Sequence, residues 1–189
     1  MEHFYQKIQG WFDYQNLYTK MVNELLDGSH IVEVGAWKGR SSAYLGVEII
    51  NSGKNIKLDV VDIWTGEEDD PDAFTADAEF MQYNKNIFEL FKKNVAPALH
   101  VINPIQMPSA KASKLYQDNS LDFVFIDANH DYEPVKLDII SWLPKIKKTG
   151  TIAGHDFNPA AYPGVVKAVH EIFANKKVEL DGACWIVKL

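Results

Sequence analysis

Five times between residues 29 and 175, a short β-branched or aromatic run hands over to a stretch with apolar residues three and four apart. The runs at 30–34, 56–63, 101–105, 121–126 and 151–154 read as strands. The stretches at 40–50, 85–95, 110–116, 135–147 and 165–175 read as helices. Such alternation demands a mostly parallel sheet covered by helices on both faces. Asp181-Gly182 then sits between two further strand signals over 177–189, a hairpin. The expected fold is therefore α/β, doubly wound and Rossmann-like, ending in an antiparallel β-hairpin. Residues 2–27 carry Leu17, Met21 and Leu25 at helical spacing and read as a helical cap broken at Gly10. Residues 64–84 are polar and acidic, carry Pro71, and read as a loop or lid. At 189 residues the chain fits one domain.

Composition excludes several function classes. Nineteen Lys and Arg against 26 Asp and Glu give a net charge of −7, which argues against nucleic-acid or anionic-membrane binding. Cys184 is the single cysteine, so neither an internal disulfide nor a cysteine-built zinc site is available. No apolar run reaches the length of a membrane span, and the first residues lack the pattern of a secretory signal, so cytoplasm is the expected compartment.

Ligands of open α/β sheets bind at the carboxyl ends of the strands. The first strand ends in Glu33-Val34-Gly35-Ala36-Trp37-Lys38-Gly39-Arg40-Ser41. Gly35 permits a tight turn, Gly39 a close backbone approach, and the next helix offers unpaired N–H groups. Two glycines four apart, with an acid two before the first, suit an amino-acid tail better than a pyrophosphate. Glu33 can attract an ammonium, directly or through water. Asp62 ends the second strand, where an acid can accept both ribose hydroxyls. Together the four describe a nucleoside with a positively charged tail, S-adenosylmethionine. A strand-turn-helix corner and a turn-capping Asp, without ligand, are the plain alternatives.

The pattern E-V-G-x-x-x-G-x-S followed by V-V-D-I-W resembles the class I S-adenosylmethionine-dependent methyltransferases. The segments LDFVFIDANHDYEPVKLDIISWLPKIKKTGTIAGHDF and PGVVKAVHEIF are similar to the group of small-molecule O-methyltransferases that includes the macrocin and mycinamicin sugar enzymes. The resemblance implies cofactor contacts at Glu33, Gly35, Ala36, Gly39 and Ser41, around the methionine part. It places Asp62 at the ribose, Ile63, Met107 and Ser109 at the adenine, and Asp127 beside the transferable methyl. Residues 106–109 read Q-M-P-S where relatives commonly show Gly-Asp-Ser, so only Ser109 is shared.

A polar cluster follows. Asp127-Ala128-Asn129-His130 ends one strand and His155-Asp156 the next, and adjacent strand ends converge. Two carboxylates with imidazole can hold a divalent cation, or His130 can act as general base, and the two uses are compatible. In metal-dependent relatives, acids at these two ends bind magnesium and a histidine three after the first is a base candidate, as at Asp127, His130 and Asp156. The candidate metal set is Asp127, His155 and Asp156, with Mg2+ or Mn2+ expected. His155 replaces an acid of magnesium-using relatives, which leaves manganese, iron or no metal open. A structural role for all these groups is the alternative.

The implied activity is O-methylation of a hydroxyl on a small molecule, a sugar among the candidates, with Asp127 and His130 catalytic. N- or carboxyl-methylation on the same scaffold and a noncatalytic cofactor-binding or assembly role compete with it. A nicotinamide oxidoreductase is disfavoured because Lys38 replaces the third fingerprint glycine. Trp142 and Trp185 read as core. Phe4, Tyr5, Trp11, Phe12 and Tyr14 form an aromatic cluster for packing, dimer contact or substrate stacking. The short chain has little separate acceptor-binding part, so a homodimer or larger assembly is expected. The run Glu67 to Asp70 reads as solvated surface or part of the lid.

Overall fold

The computed structural model describes residues 1–66 and 76–189. Seven strands form one sheet: β1 (His30–Val34), β2 (Lys57–Asp62), β3 (Ile102–Gln106), β4 (Leu121–Ile126), β5 (Ile146–Gly154), β6 (Glu179–Asp181) and β7 (Cys184–Lys188). Their order is β3-β2-β1-β4-β5-β7-β6. β1 to β5 run parallel, and β7 joins β5 and β6 antiparallel. The chain winds from β1 outward to β3, then returns to the other side of β1. The switch point therefore lies between β1 and β4, where a ligand crevice is expected.

Strand alternation sends successive side chains to opposite faces. Ile31, Leu58, Val60, Phe123 and Phe125 pack into one buried cluster. Helices α1 (Gln15–Glu24), α2 (Arg40–Ser52), α3 (Ala78–Gln82) and α4 (Phe88–Asn94) contribute to it. Val32, Val34, Val61, Val124, Ile126 and Ile152 pack into the other. This cluster includes residues of α5 (Ser109–Ala112), α6 (Tyr132–Trp142) and α7 (Pro163–Ile172). Trp142 and Trp185 are both buried in it, as the sequence suggests.

The N-terminal region departs from the expected long helix. Only residues 15–24 form an α-helix, after a 3₁₀ turn at Tyr5–Lys7. Gly10 has φ 145°, outside helical backbone, and residues 8–14 cross the carboxyl edge of the sheet as irregular chain. β5 starts five residues earlier than expected. Pro144 ends the preceding helix in a 3₁₀ turn at Leu143–Lys145, and Ile146 then pairs with Leu121 before an irregularity in the ladder. Within the expected lid, α3 is tied down by the buried Lys38, whose ammonium lies 2.6 Å from Asp77 and 2.8 Å from Glu79. The acidic run and Pro71 lie outside the described residues. No helix among the described residues is long and apolar enough to cross a membrane.

Candidate active site

A cleft of about 450 Å³ opens at the switch point. That volume suits a small organic ligand. Its floor is the turn after β1. Gly35 takes φ 85°, and a Cβ there would stand 1.9 Å from the carbonyl oxygen of Asp127, so only glycine fits. Trp37 is also held at positive φ, 48°. Asp62 stabilises this turn: one carboxylate oxygen accepts the N–H groups of Ala36 (2.7 Å) and Trp37 (3.0 Å), the other that of Trp64 (2.6 Å). Burial raises the Asp62 carboxyl, and these backbone bonds pull against the shift. Asp62 lines the cleft with Gly35, Ala36, Ser41, Ile63, Met107, Ser109 and Asp127.

Two of the expected cofactor residues do not line it. Gly39 caps α2 and packs toward Phe91 and Val95. Glu33 is fully buried. It shares the face of β1 with Ile31, which α1 and α2 cover, so Tyr18 (2.8 Å) and Ser42 seal its two oxygens. Its carboxylate therefore supports the site from behind and does not present itself to an ammonium in the cleft. Ser109 lines the cleft, but its hydroxyl accepts the Trp142 indole N–H at 2.9 Å.

Burial raises the Glu33 carboxyl to about 7, against hydrogen bonds from Ser42, Ser41 and Tyr18 that lower it. A folded-state value above the unfolded one means the folded chain holds this proton more tightly. The stabilisation is complete below the ordinary glutamate range and is lost as pH rises through 7. Glu33→Gln is expected to exceed the parent in stability at pH 8 by about 3 kcal/mol, with the gain vanishing near pH 4. Urea unfolding at both pH values checks this; equal stability at pH 8 contradicts it.

The polar cluster assembles at the ends of β4 and β5. Asp127 Oδ2 accepts the Tyr14 hydroxyl at 2.7 Å. His130 Nε2 lies 2.9 Å from Asp156 Oδ2. His155 Nδ1 lies 3.2 Å from Asp156 and 3.8 Å from Asp127, while its Nε2 meets Asp13 at 2.9 Å. Burial raises the Asp127 carboxyl, opposed by the His155 charge and reinforced by that of Asp156. Burial also acts to raise Asp156, but hydrogen bonds from His130 and His155 hold it well below the usual carboxylate range. Burial disfavours charge on His155, yet its bond to Asp156 and the charges of Asp127, Asp156 and Asp13 raise it to about 9. Both of its ring nitrogens already face carboxylates, Nε2 that of Asp13 and Nδ1 that of Asp156. The set whose ligand atoms all lie within 4.8 Å of one another is Asp127, His130 and Asp156. Relative to the expected set, His130 takes the place of His155.

The sequence motifs point to no site role for Tyr18, Arg40, Asp13 or Tyr162, and Tyr14 reads from sequence only as part of an aromatic cluster. Tyr14 and Tyr18 stand four residues apart, and their hydroxyls reach Asp127 and Glu33 respectively. That spacing on the apolar stripe with Met21 and Leu25 was the available signal. Trp11 lines the cleft and is 70% exposed, whereas Tyr5 and Phe12 pack edge-on at 5.5 Å.

A family model described as a methyltransferase domain matches residues 32–157, two thirds of the chain. Among curated proteins, none matches in sequence. Solved structures share the fold. The O-methyltransferase NovP superposes with a TM-score of 0.69 at 15% identity, covering 92% of this chain and 78% of its own. The calicheamicin methyltransferase CalS11 gives 0.64 at 13%, covering 92% and 76%. An S-adenosylmethionine-dependent O-methyltransferase from Thermotoga maritima gives 0.59 at 13%, covering 95% and 66%. With its switch-point cleft and the motif at residues 33–41 inside the matched region, the chain belongs to the methyltransferase-domain family and has the class I S-adenosylmethionine-dependent methyltransferase fold.

Proposed function

We propose that the chain transfers a methyl group from S-adenosylmethionine to a hydroxyl of a small molecule. The observation that carries this reading is the His130–Asp156 pair, 2.9 Å apart and beside Asp127 at the cleft. Bound S-adenosylmethionine supplies a methyl already activated on a sulfonium. The cleft fits it: Gly35, Ala36 and Ser41 line one wall, and Asp62, Ile63, Met107 and Ser109 offer a polar and an apolar border for a nucleoside. The chain must then align the acceptor and remove its proton. His130, oriented by Asp156, takes the acceptor proton. Asp156, held ionised, stabilises the imidazolium that results. Tyr14 fixes the Asp127 carboxylate.

Were a divalent cation bound, the Asp127 and Asp156 carboxylates beside His130 would hold it, and Mg2+ or Mn2+ there would polarise the acceptor hydroxyl while His130 stays the proton acceptor. NovP and CalS11 are named as O-methyltransferase and calicheamicin methyltransferase, and a TDP-rhamnose 3'-O-methyltransferase is among the similar structures, which makes sugars the first acceptors to try. The test is transfer of labelled methyl to a panel of hydroxylated sugars, phenols, amines and carboxylates, with and without Mg2+ or Mn2+. Label on hydroxyl oxygen is the expected result. Label confined to amines or carboxylates would replace the reading by the competing chemistry on the same scaffold.

A further inference from the structure

We infer that Arg40 is the binding residue for the carboxylate at the amino-acid end of the donor, an inference that rests on the S-adenosylmethionine reading above. Arg40 is the single Lys or Arg among the described residues that line the cleft. The four carboxylates around it already have donors. Asp13 has His155, Asp62 has the backbone of its turn, Asp127 has Tyr14, and Asp156 has both histidines. Arg40 makes no ion pair with any of them or with any other described residue. Its Nη1 donates to the carbonyls of Gly10 (3.0 Å) and Ile8 (3.4 Å), and its Nε is buried with no hydrogen-bond partner. The guanidinium is thus held in place, 5.9 Å from the centre of the Tyr5 ring, with no carboxylate partner among the described residues.

The surroundings reinforce that charge. Arg40 is the first residue of α2, a helix of 13 residues whose amino end carries positive potential, and Ser41 beside it also lines the cleft. S-adenosylmethionine has one anionic group, the carboxylate of its amino-acid tail. The aspartates at the ends of β2, β4 and β5 repel that group, and Arg40 offers a planar donor fork suited to it.

The experiment compares two ligands on three proteins. S-adenosylhomocysteine carries the tail; 5'-methylthioadenosine lacks its amino and carboxyl groups. Calorimetry or competition binding is run on the parent, Arg40→Gln and Arg40→Lys, each first checked by thermal melt. Arg40→Gln is expected to weaken S-adenosylhomocysteine by about ten- to a hundredfold, the loss of a charge-assisted contact, and 5'-methylthioadenosine by less than about twofold. Arg40→Lys is expected to recover part of the difference. Equal weakening of both ligands would make Arg40 a clasp for residues 8–10 only and overturn the inference. Unchanged affinity for S-adenosylhomocysteine would overturn it too, and would leave the donor reading standing. Failure of the parent to bind either ligand would overturn the donor reading and the inference with it.

Discussion

Gly35→Ala is expected to cost at least about 4 kcal/mol and to leave little folded protein, the range reached when backbone itself must move. Two effects add. The position has φ 85°, which an L side chain adopts only under strain, and the new Cβ would stand 1.9 Å from Asp127 O and 2.5 Å from its carbonyl carbon. Those atoms cannot retreat cheaply. Asp127 N–H donates to Val34 O at 2.7 Å and Gly35 N–H to Val61 O at 2.9 Å, so the turn is bonded to both neighbouring strands. Gly28→Ala is the control. Its φ is 80°, but nothing lies within 4 Å of the added Cβ, so it carries the strain alone, about 1 kcal/mol. Urea unfolding of both variants separates strain from collision. Equal stability of the two would mean that the β1 and β4 ends do not approach as closely as described.

His130→Ala is expected to lower turnover by about a hundredfold or more while donor affinity stays within about twofold. The reason is the division of labour in the cleft. Asp62, Ile63, Met107 and Ser109 border the expected nucleoside, whereas His130 and Asp156 stand at the ends of β4 and β5 with Tyr162 4.6 Å from the imidazole. Removing the imidazole takes away the proton acceptor and leaves the nucleoside border intact. Single-turnover rates with binding measured in parallel check this. Full activity would return His130 to a structural role, and a parallel loss of donor affinity would make it a binding group.

The parallel strands were legible because each carries β-branched residues and ends in, or is followed by, a polar residue or glycine. β1 and β4 occupy the expected residues, and the hairpin turns at the expected Asp181-Gly182. Helical spacing in the first 27 residues was misleading. Tyr14, Tyr18, Met21 and Leu25 do lie on one stripe, but the chain before Tyr14 is drawn across the cleft, where Arg40 and Trp37 hold Gly10 and Gln9. Such long-range anchoring leaves no periodic trace. The motif at residues 33–41 identified the turn, and the structure places the Glu33 side chain off the cleft wall. Whether Glu33 meets ligand or protein depends on which helices cover its face of β1, and that is a property of tertiary packing. The contact of His155 with Asp13, 142 residues away in sequence, likewise leaves no local trace.

Every role proposed above depends on S-adenosylmethionine entering the cleft between the ends of β1 and β4. Calorimetric titration of the purified chain with S-adenosylmethionine and S-adenosylhomocysteine, with and without Mg2+ or Mn2+, tests it most directly. Micromolar, one-to-one binding of both is expected, with a further change on adding metal if Asp127 and Asp156 hold a cation. No heat and no thermal shift with either ligand, under any of these conditions, would contradict it.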